Sequence, residues 1–252
     1  MFPWNQSKTF FQSPFRPAVT VMHRVLQQIT FFVQKAVPAK EDDFIFVSCG
    51  TWSLFGTELE KPVLTKQSEE LNITNETGTD GKTSFLKNII GLWLIQESRR
   101  QWIREGKEYS FSELEKLAEA AEPFQSFIDP DAPEFSPSGN VPRRIREYCE
   151  RTGQKIPQTE GEIVRCINES LALKYRYALE EIKACTGKDY HAIHMVGGGI
   201  QSKLLCKFTA YASIPFRQII PIGISCKQTP VLKPGSALFI IACLISLSFL
   251  FL

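Results

Sequence analysis

A chain of 252 residues that is 43% hydrophobic and 22% charged can bury the core of one large domain or two small ones, which excludes a disordered, collagenous or multi-span membrane protein. The net charge of +2 conceals a segregation, because all 27 acidic residues lie between Glu41 and Asp189 and both ends are acid-free. An acidic middle gives nucleic acid no electrostatic footprint, and the basic ends lack the patterning of a phosphate-binding stripe, so no nucleic-acid partner is expected.

Residues 1–35 are rich in Phe and interrupted by Pro3, Pro14 and Pro17. They leave room for one short helix at 21–33 and otherwise read as a disordered extension. From Asp43 the texture changes. Phe44 to Val47 is a β-rich run, Ser48-Cys49-Gly50 turns the chain, and Thr51 to Leu59 alternates polar with large apolar residues, which predicts a β-hairpin. Asn72 to Lys82 reads as a polar loop. Phe85 is expected to open a helix with Phe85, Ile89, Leu92 and Trp93 on its buried side and Arg99, Arg100 and Arg104 on its solvated later turns. That helix would carry Asn88 and Gln96 on nearly one face.

Two capping boxes follow, Ser110 with Glu113 and Thr159 with Glu162, each pairing a helix-start hydroxyl with a carboxylate three residues on. The first starts a helix to about Ala121. The second starts a longer one whose apolar stripe is Val164, Ile167, Leu171, Tyr175, Ala178 and Ile182. Between them, Pro123 to Pro142 is a connection and Val141 to Arg151 a short basic helix. A turn near Pro157 is expected to bring Cys149 and Cys166 within disulfide reach, either as a bridge or, in a reducing compartment, as two reduced core thiols. His191 to Val196 is a strand ended by Gly197-Gly198-Gly199, and Gln201 to Ala212 returns to helical period. Beyond Ser213 the order dissolves. Residues 214–234 have no period, and Ala237 to Leu252 is an uncharged run of sixteen residues, short of the ~20 of a spanning helix.

The strand, triple glycine and helix at 191–212 are the strongest chemical signal. Adjacent glycines let a ligand approach the backbone, and a helix start offers free amides and a positive dipole end to phosphate. The spacing is neither the dinucleotide G-x-G-x-x-G nor the Walker P-loop. The Gly50-Thr51-Trp52-Ser53 turn offers a hydroxyl to a phosphate oxygen, although such turn residues are usually structural. Nucleophilic and metal chemistry find little support. No feature brings His23, His191 or His194 to Cys49, and His191 and His194, three apart on a strand, face opposite sides. The seven cysteines contain no C-x-x-C pair, and their odd count suits a reducing, cytoplasmic compartment. Glycosylation patterns at Asn72, Asn75 and Asn168 matter only in a secreted protein.

In combination, F-V-S-C-G-T-W-S-L-F-G at 46–56, N-I-T-N-E at 72–76, F-L-K-N-I-I-G-L-W-L-I-Q-E-S-R-R at 85–100 and H-M-V-G-G-G at 194–199 resemble the C-terminal half of the rhamnulokinases, a branch of the FGGY carbohydrate kinases. The resemblance covers about residues 36–212 and leaves 1–35 and 213–252 unmatched. It implies an α/β, RNase H-like domain of the actin, sugar kinase and heat-shock ATPase superfamily, incomplete, with its last strand lost or replaced. It also implies ATP and Mg2+ as cofactors, L-rhamnulose as partner substrate and a cytoplasmic location. Carried over residue by residue, Thr51, Gln96 and the Gly197, Gly198 and Gly199 turn match nucleotide contacts, and Asn88 matches a substrate-side asparagine.

The departures fall on the chemistry. In the family an H-D-T-A-S motif shortly upstream of G-T-W-S supplies the general base, whereas Thr20 to Ala39 contains no Asp or Glu and His23 is followed by Arg24. Ser202 stands where the family has Asn, and Thr77 where a second loop glycine is usual. The expectation is therefore a kinase-derived domain that does not phosphorylate sugar alone. The alternative is a non-enzymatic nucleotide-binding protein, or an interaction protein tethered to a membrane through 237–252.

Overall fold

The computed structural model describes residues 43–213 and the backbone of 218–221. The extension and short helix expected before Asp43, and the apolar run at 237–252, lie outside the described residues. Strands β1 (Phe44–Cys49) and β2 (Trp52–Leu59) form the expected hairpin, with Phe46 opposite Gly56 and Cys49 opposite Ser53. The chain passes through α1 (Lys66–Glu70), capped by Thr65, into β3 (Thr74–Thr77) and β4 (Thr83–Ile90), which extend the sheet antiparallel from β2. Four helices follow, α2 (Trp93–Arg104), α3 (Phe111–Ala120), α4 (Val141–Arg151) and α5 (Glu160–Thr186). Then β5 (Ala192–Val196) pairs parallel with β1, and α6 (Lys203–Ala212) leads to β6 (Gln218–Pro221), parallel with β5. The strand order is β3-β4-β2-β1-β5-β6. Four antiparallel strands, with β4 between β2 and β3, thus continue into parallel strands that return through helices.

Both capping boxes form, Ser110 with Glu113 and Thr159 with Glu162. The apolar stripe of α5 is buried along its length, from Val164 to Ile182. Two expectations are corrected. Residues 83–90 are a strand, not the start of a helix, because this segment lies inside the sheet and is buried on both faces: Phe85, Leu86 and Ile89 are all fully buried. A strand of that kind reads as a continuous apolar run, which a helical period fits equally well. Within the expected polar loop, Thr74–Thr77 pairs with β4. Where the last strand was expected to be lost or replaced, Gln218–Pro221 forms a strand parallel with β5, at the edge of the sheet among the described residues.

Strand alternation gives the sheet two distinct faces. Ile45, Val47, Cys49, Phe55, Phe85, Ile89, Ile193 and Met195 join the main core with Leu94, Trp102, Leu114, Ile145, Ile167 and Leu171 from the helices. Burying such side chains contributes about 1.5–3 kcal/mol each. Phe44, Phe46, Leu54, Leu86 and Val196 form a second cluster on the opposite face. His194 lies on that second face with the Phe44 ring edge-on at 5.5 Å. It is buried, its Nδ1 has no partner, and burial holds its pKa below the ordinary 6.5.

This has a defined sign. The unfolded chain takes up the His194 proton at higher pH than the folded one, so stability is full above about pH 6.5 and falls as the pH drops below it. Glu134 and Asp189, held below the usual carboxylate range by Arg151 and Lys183, act only at lower pH. The urea midpoint should fall between about pH 7.5 and 5.5, and His194→Phe should flatten that fall. A flat profile in the unmodified chain would contradict the assignment.

Cys149 and Cys166 are both buried and free, and their thiols and the Ser126 hydroxyl lie near enough to influence one another's ionisation. The Cys149 contact and burial push the Cys166 thiol well above its usual range. Neither should react with an aromatic disulfide reagent before the domain unfolds. Stoichiometric labelling of either within minutes under native conditions would refute this. Of the glycosylation patterns, Asn168 is buried and the Asn75 amide is tied to the Val63 backbone, which leaves Asn72 exposed.

Candidate functional site

The site lies beyond the carboxyl ends of β1 and β5, which run parallel with Ser48 beside Val196. Ligands of open α/β sheets gather at such strand ends, where loops diverge and backbone amides are free. One wall is the turn between β1 and β2. Its Thr51 carbonyl accepts from the Gly91 and Trp93 amides, each at 3.1 Å, and the Gly50 carbonyl accepts from Leu92 at 2.9 Å. The turn is thereby clamped to the link between β4 and α2. That clamp brings Gln96 in, and the Thr51 hydroxyl donates to Gln96 Oε1 at 3.1 Å. Among the described residues the Gln96 amide hydrogens have no hydrogen-bond partner.

The other wall is the triple glycine. Gly197 has φ +91°, and a Cβ there would stand 2.7 Å from the Cys49 carbonyl; at Gly199 it would stand 2.1 Å from Cys49 Sγ. No side chain fits between this turn and β1. Gly199 is buried while Gly197 and Gly198 are exposed, so the turn rests on Cys49 and opens outward. The start of α6 is not the free amide cradle that the strand-glycine-helix pattern suggests. Leu205 N donates to Ser202 Oγ at 3.2 Å, and Leu204 N donates to the Glu115 carboxylate at 3.0 Å. A carboxylate already occupies the anion-favouring end of that helix, and the exposed backbone beside it is that of Gly197 and Gly198.

Thr51, Gln96 and Gly197 to Gly199 are therefore brought together. Asn88 is not on a helix with Gln96: it lies on β4 opposite Leu54, exposed on the sheet face away from the helices. The Gly91-Leu92 link redirects the chain between the two residues. By the same register Trp52, half exposed, lies on the Asn88 face. Sequence reasoning missed the floor of the site. Cys49, Ser53 and Tyr175 are all fully buried, with Ser53 Oγ 2.6 Å and Cys49 Sγ 3.4 Å from the Tyr175 hydroxyl. Burial pushes the Cys49 thiol up and the Tyr175 phenol well up, so neither ionises near neutrality. The signal was present in the α5 stripe, where one tyrosine among aliphatic residues needs a partner for its hydroxyl. Among the described residues no three His, Cys, Asp or Glu converge as metal ligands, and no helix is long and apolar enough to cross a membrane.

The chain thus has a mixed α/β sheet with a glycine turn and a clamped hydroxyl turn at adjacent strand ends, a fold of the sugar kinase class. Residues 45–213 match the FGGY family of carbohydrate kinases, C-terminal domain, and the chain belongs to that family. It is 45% identical over 177 residues to a rhamnulokinase of Bacteroides thetaiotaomicron, covering 70% of this chain and 36% of that protein. It is 41% identical over 175 residues to the Bacillus subtilis rhamnulokinase, covering 69% and 36%. The chain thus spans about a third of the length of the curated relatives it matches. The fold is shared with a xyloylose kinase from Brucella ovis, at TM-score 0.50 and 18% identity over 69% of this chain and 35% of that one. It is also shared with a gluconate kinase from Lactobacillus acidophilus, at TM-score 0.50 and 12% identity over 74% and 36%.

Proposed function

We propose that this chain is the ATP-binding lobe of a rhamnulokinase-type carbohydrate kinase, and that it does not transfer phosphate by itself. The observation that carries this reading is the meeting of the Thr51 and triple-glycine turns on Cys49, with Gly198 exposed between strand ends. In this reading the Gln96 amide and the Gly197 and Gly198 backbone hold the nucleotide, and a magnesium ion arrives on its phosphates. Asn88 contacts the acceptor, a ketose such as L-rhamnulose, and the 38–45% identity to rhamnulokinases supports that choice. Phosphoryl transfer is mostly positioning and charge neutralisation, plus a base for the acceptor hydroxyl proton. Residues 1–40 contain no Asp or Glu, and in this reading the base is supplied by a second lobe.

Calorimetric titration of the full chain with Mg-ATP and Mg-ADP is expected to show binding. A coupled ADP-release assay with L-rhamnulose is expected to stay at background, since losing the base alone costs about 10² to 10⁴ in rate. Turnover near ~1 per second would overturn the division of labour, and absence of nucleotide binding would overturn the reading itself.

A further inference from the structure

Three fully buried polar side chains, Cys49, Ser53 and Tyr175, have no assigned part in the site, yet every segment that forms it rests on them. A Cβ at Gly199 would meet Cys49 Sγ at 2.1 Å, and one at Gly197 would meet the Cys49 carbonyl at 2.7 Å. A Cβ at Gly91, in the link that leads to Gln96, would meet Ser53 Oγ at 2.6 Å. Thr51 lies in the short turn joining Cys49 to Ser53. Both side chains are held by one atom of α5, the Tyr175 hydroxyl, at 3.4 Å and 2.6 Å. Filling this space would need no polar group, and replacing hydrogen-bonded partners by apolar groups of the same shape can be nearly neutral. What hydrogen bonds add is a fixed distance and direction.

We propose that the Cys49, Ser53 and Tyr175 cluster is a positioning device that sets the separation of the Thr51 turn, the Gln96 link and the triple-glycine turn, and so tunes nucleotide affinity. It rests on the nucleotide reading above. None of the three touches the ligand; they act through the glycines and Gln96.

The test is a pair of substitutions at one contact together with a third at its hydrogen-bonding partner, all read on nucleotide affinity. Gly199→Ala should weaken Mg-ADP binding by about 100-fold, and adding Cys49→Ala, which removes the Sγ in closest conflict, should recover about tenfold of that loss. Tyr175→Phe alone should weaken binding about tenfold and speed hydrogen exchange at the Ile200 and Ser202 amides, with β3 and β4 unaffected. Far-UV circular dichroism and urea titration check that each variant folds, and Tyr175→Phe decides if Gly199→Ala does not fold. If the unmodified chain binds Mg-ADP but the double variant binds no better than Gly199→Ala, and Tyr175→Phe binds normally, positioning is refuted and the nucleotide reading stands. If the unmodified chain binds no nucleotide, the reading fails, and unchanged Ile200 and Ser202 exchange in Tyr175→Phe removes the positioning role as well.

Discussion

Gly198→Val is expected to abolish nucleotide binding while leaving the domain folded. Gly198 is the exposed middle of a turn whose last member is buried against Cys49, so a substitution there does not fall on the buried side of the turn. In the nucleotide reading proposed above, a valine there would stand where the phosphates approach the backbone. Affinity for Mg-ADP should fall by more than about 100-fold, equivalent to ~2.7 kcal/mol. The melting temperature should move by only about 1–2 °C, since exposed substitutions away from special features stay within about 0.5 kcal/mol. Gly199→Val makes the opposite comparison. Its side chain would be driven into Cys49, so it should lower the melting temperature as well. Calorimetry and thermal denaturation of the two variants side by side would separate ligand space from packing space, and unchanged affinity in Gly198→Val would show that the turn does not receive the nucleotide.

Lys87→Met should produce the largest loss of stability among single substitutions on the sheet. Lys87 lies on β4, its Nζ 2.5 Å from Glu181 Oε2 and 3.0 Å from the Leu71 carbonyl, with both charged side chains nearly excluded from solvent. Removing the cation leaves the Glu181 carboxylate buried without its counter-charge. Breaking a buried pair from one side costs about 3–5 kcal/mol, or roughly 10 °C in a domain of this size. The paired substitution Lys87→Met with Glu181→Leu should recover most of that loss, because a buried ion pair is often no more stabilising than apolar residues of similar volume. A melting temperature within about 2 °C of the unmodified chain in Lys87→Met would show that the pair is solvated. Such a result would also free β4, and with it Asn88, from dependence on α5.

Local chemistry made several elements legible without coordinates. The reciprocal hydroxyl and carboxylate pairs at Ser110 and Thr159 each satisfy amides within one turn, so they specify a helix start wherever the chain goes. The α5 stripe and the β1–β2 alternation are likewise one-sided patterns whose period names the element. The triple glycine was legible because few other reasons place three such residues after a strand. By contrast, β4 is buried on both faces, and β3 is four polar residues whose pairing exists only because β4 runs beside it. Their identity is set by neighbours distant in sequence.

Composition, capping and period determined by themselves that this chain holds an α/β domain with a glycine turn before a helix, and the quoted motifs determined its family. Only the tertiary structure decided that Asn88 and Gln96 part company at Gly91, that Glu115 of α3 takes the amide at the start of α6, and that Cys49, Ser53 and Tyr175 form one floor. Caps and periods are written within a few residues of one another, whereas a site is assembled from strand ends and helices up to 126 residues apart. Those meet only when burial of both sheet faces has chosen the register.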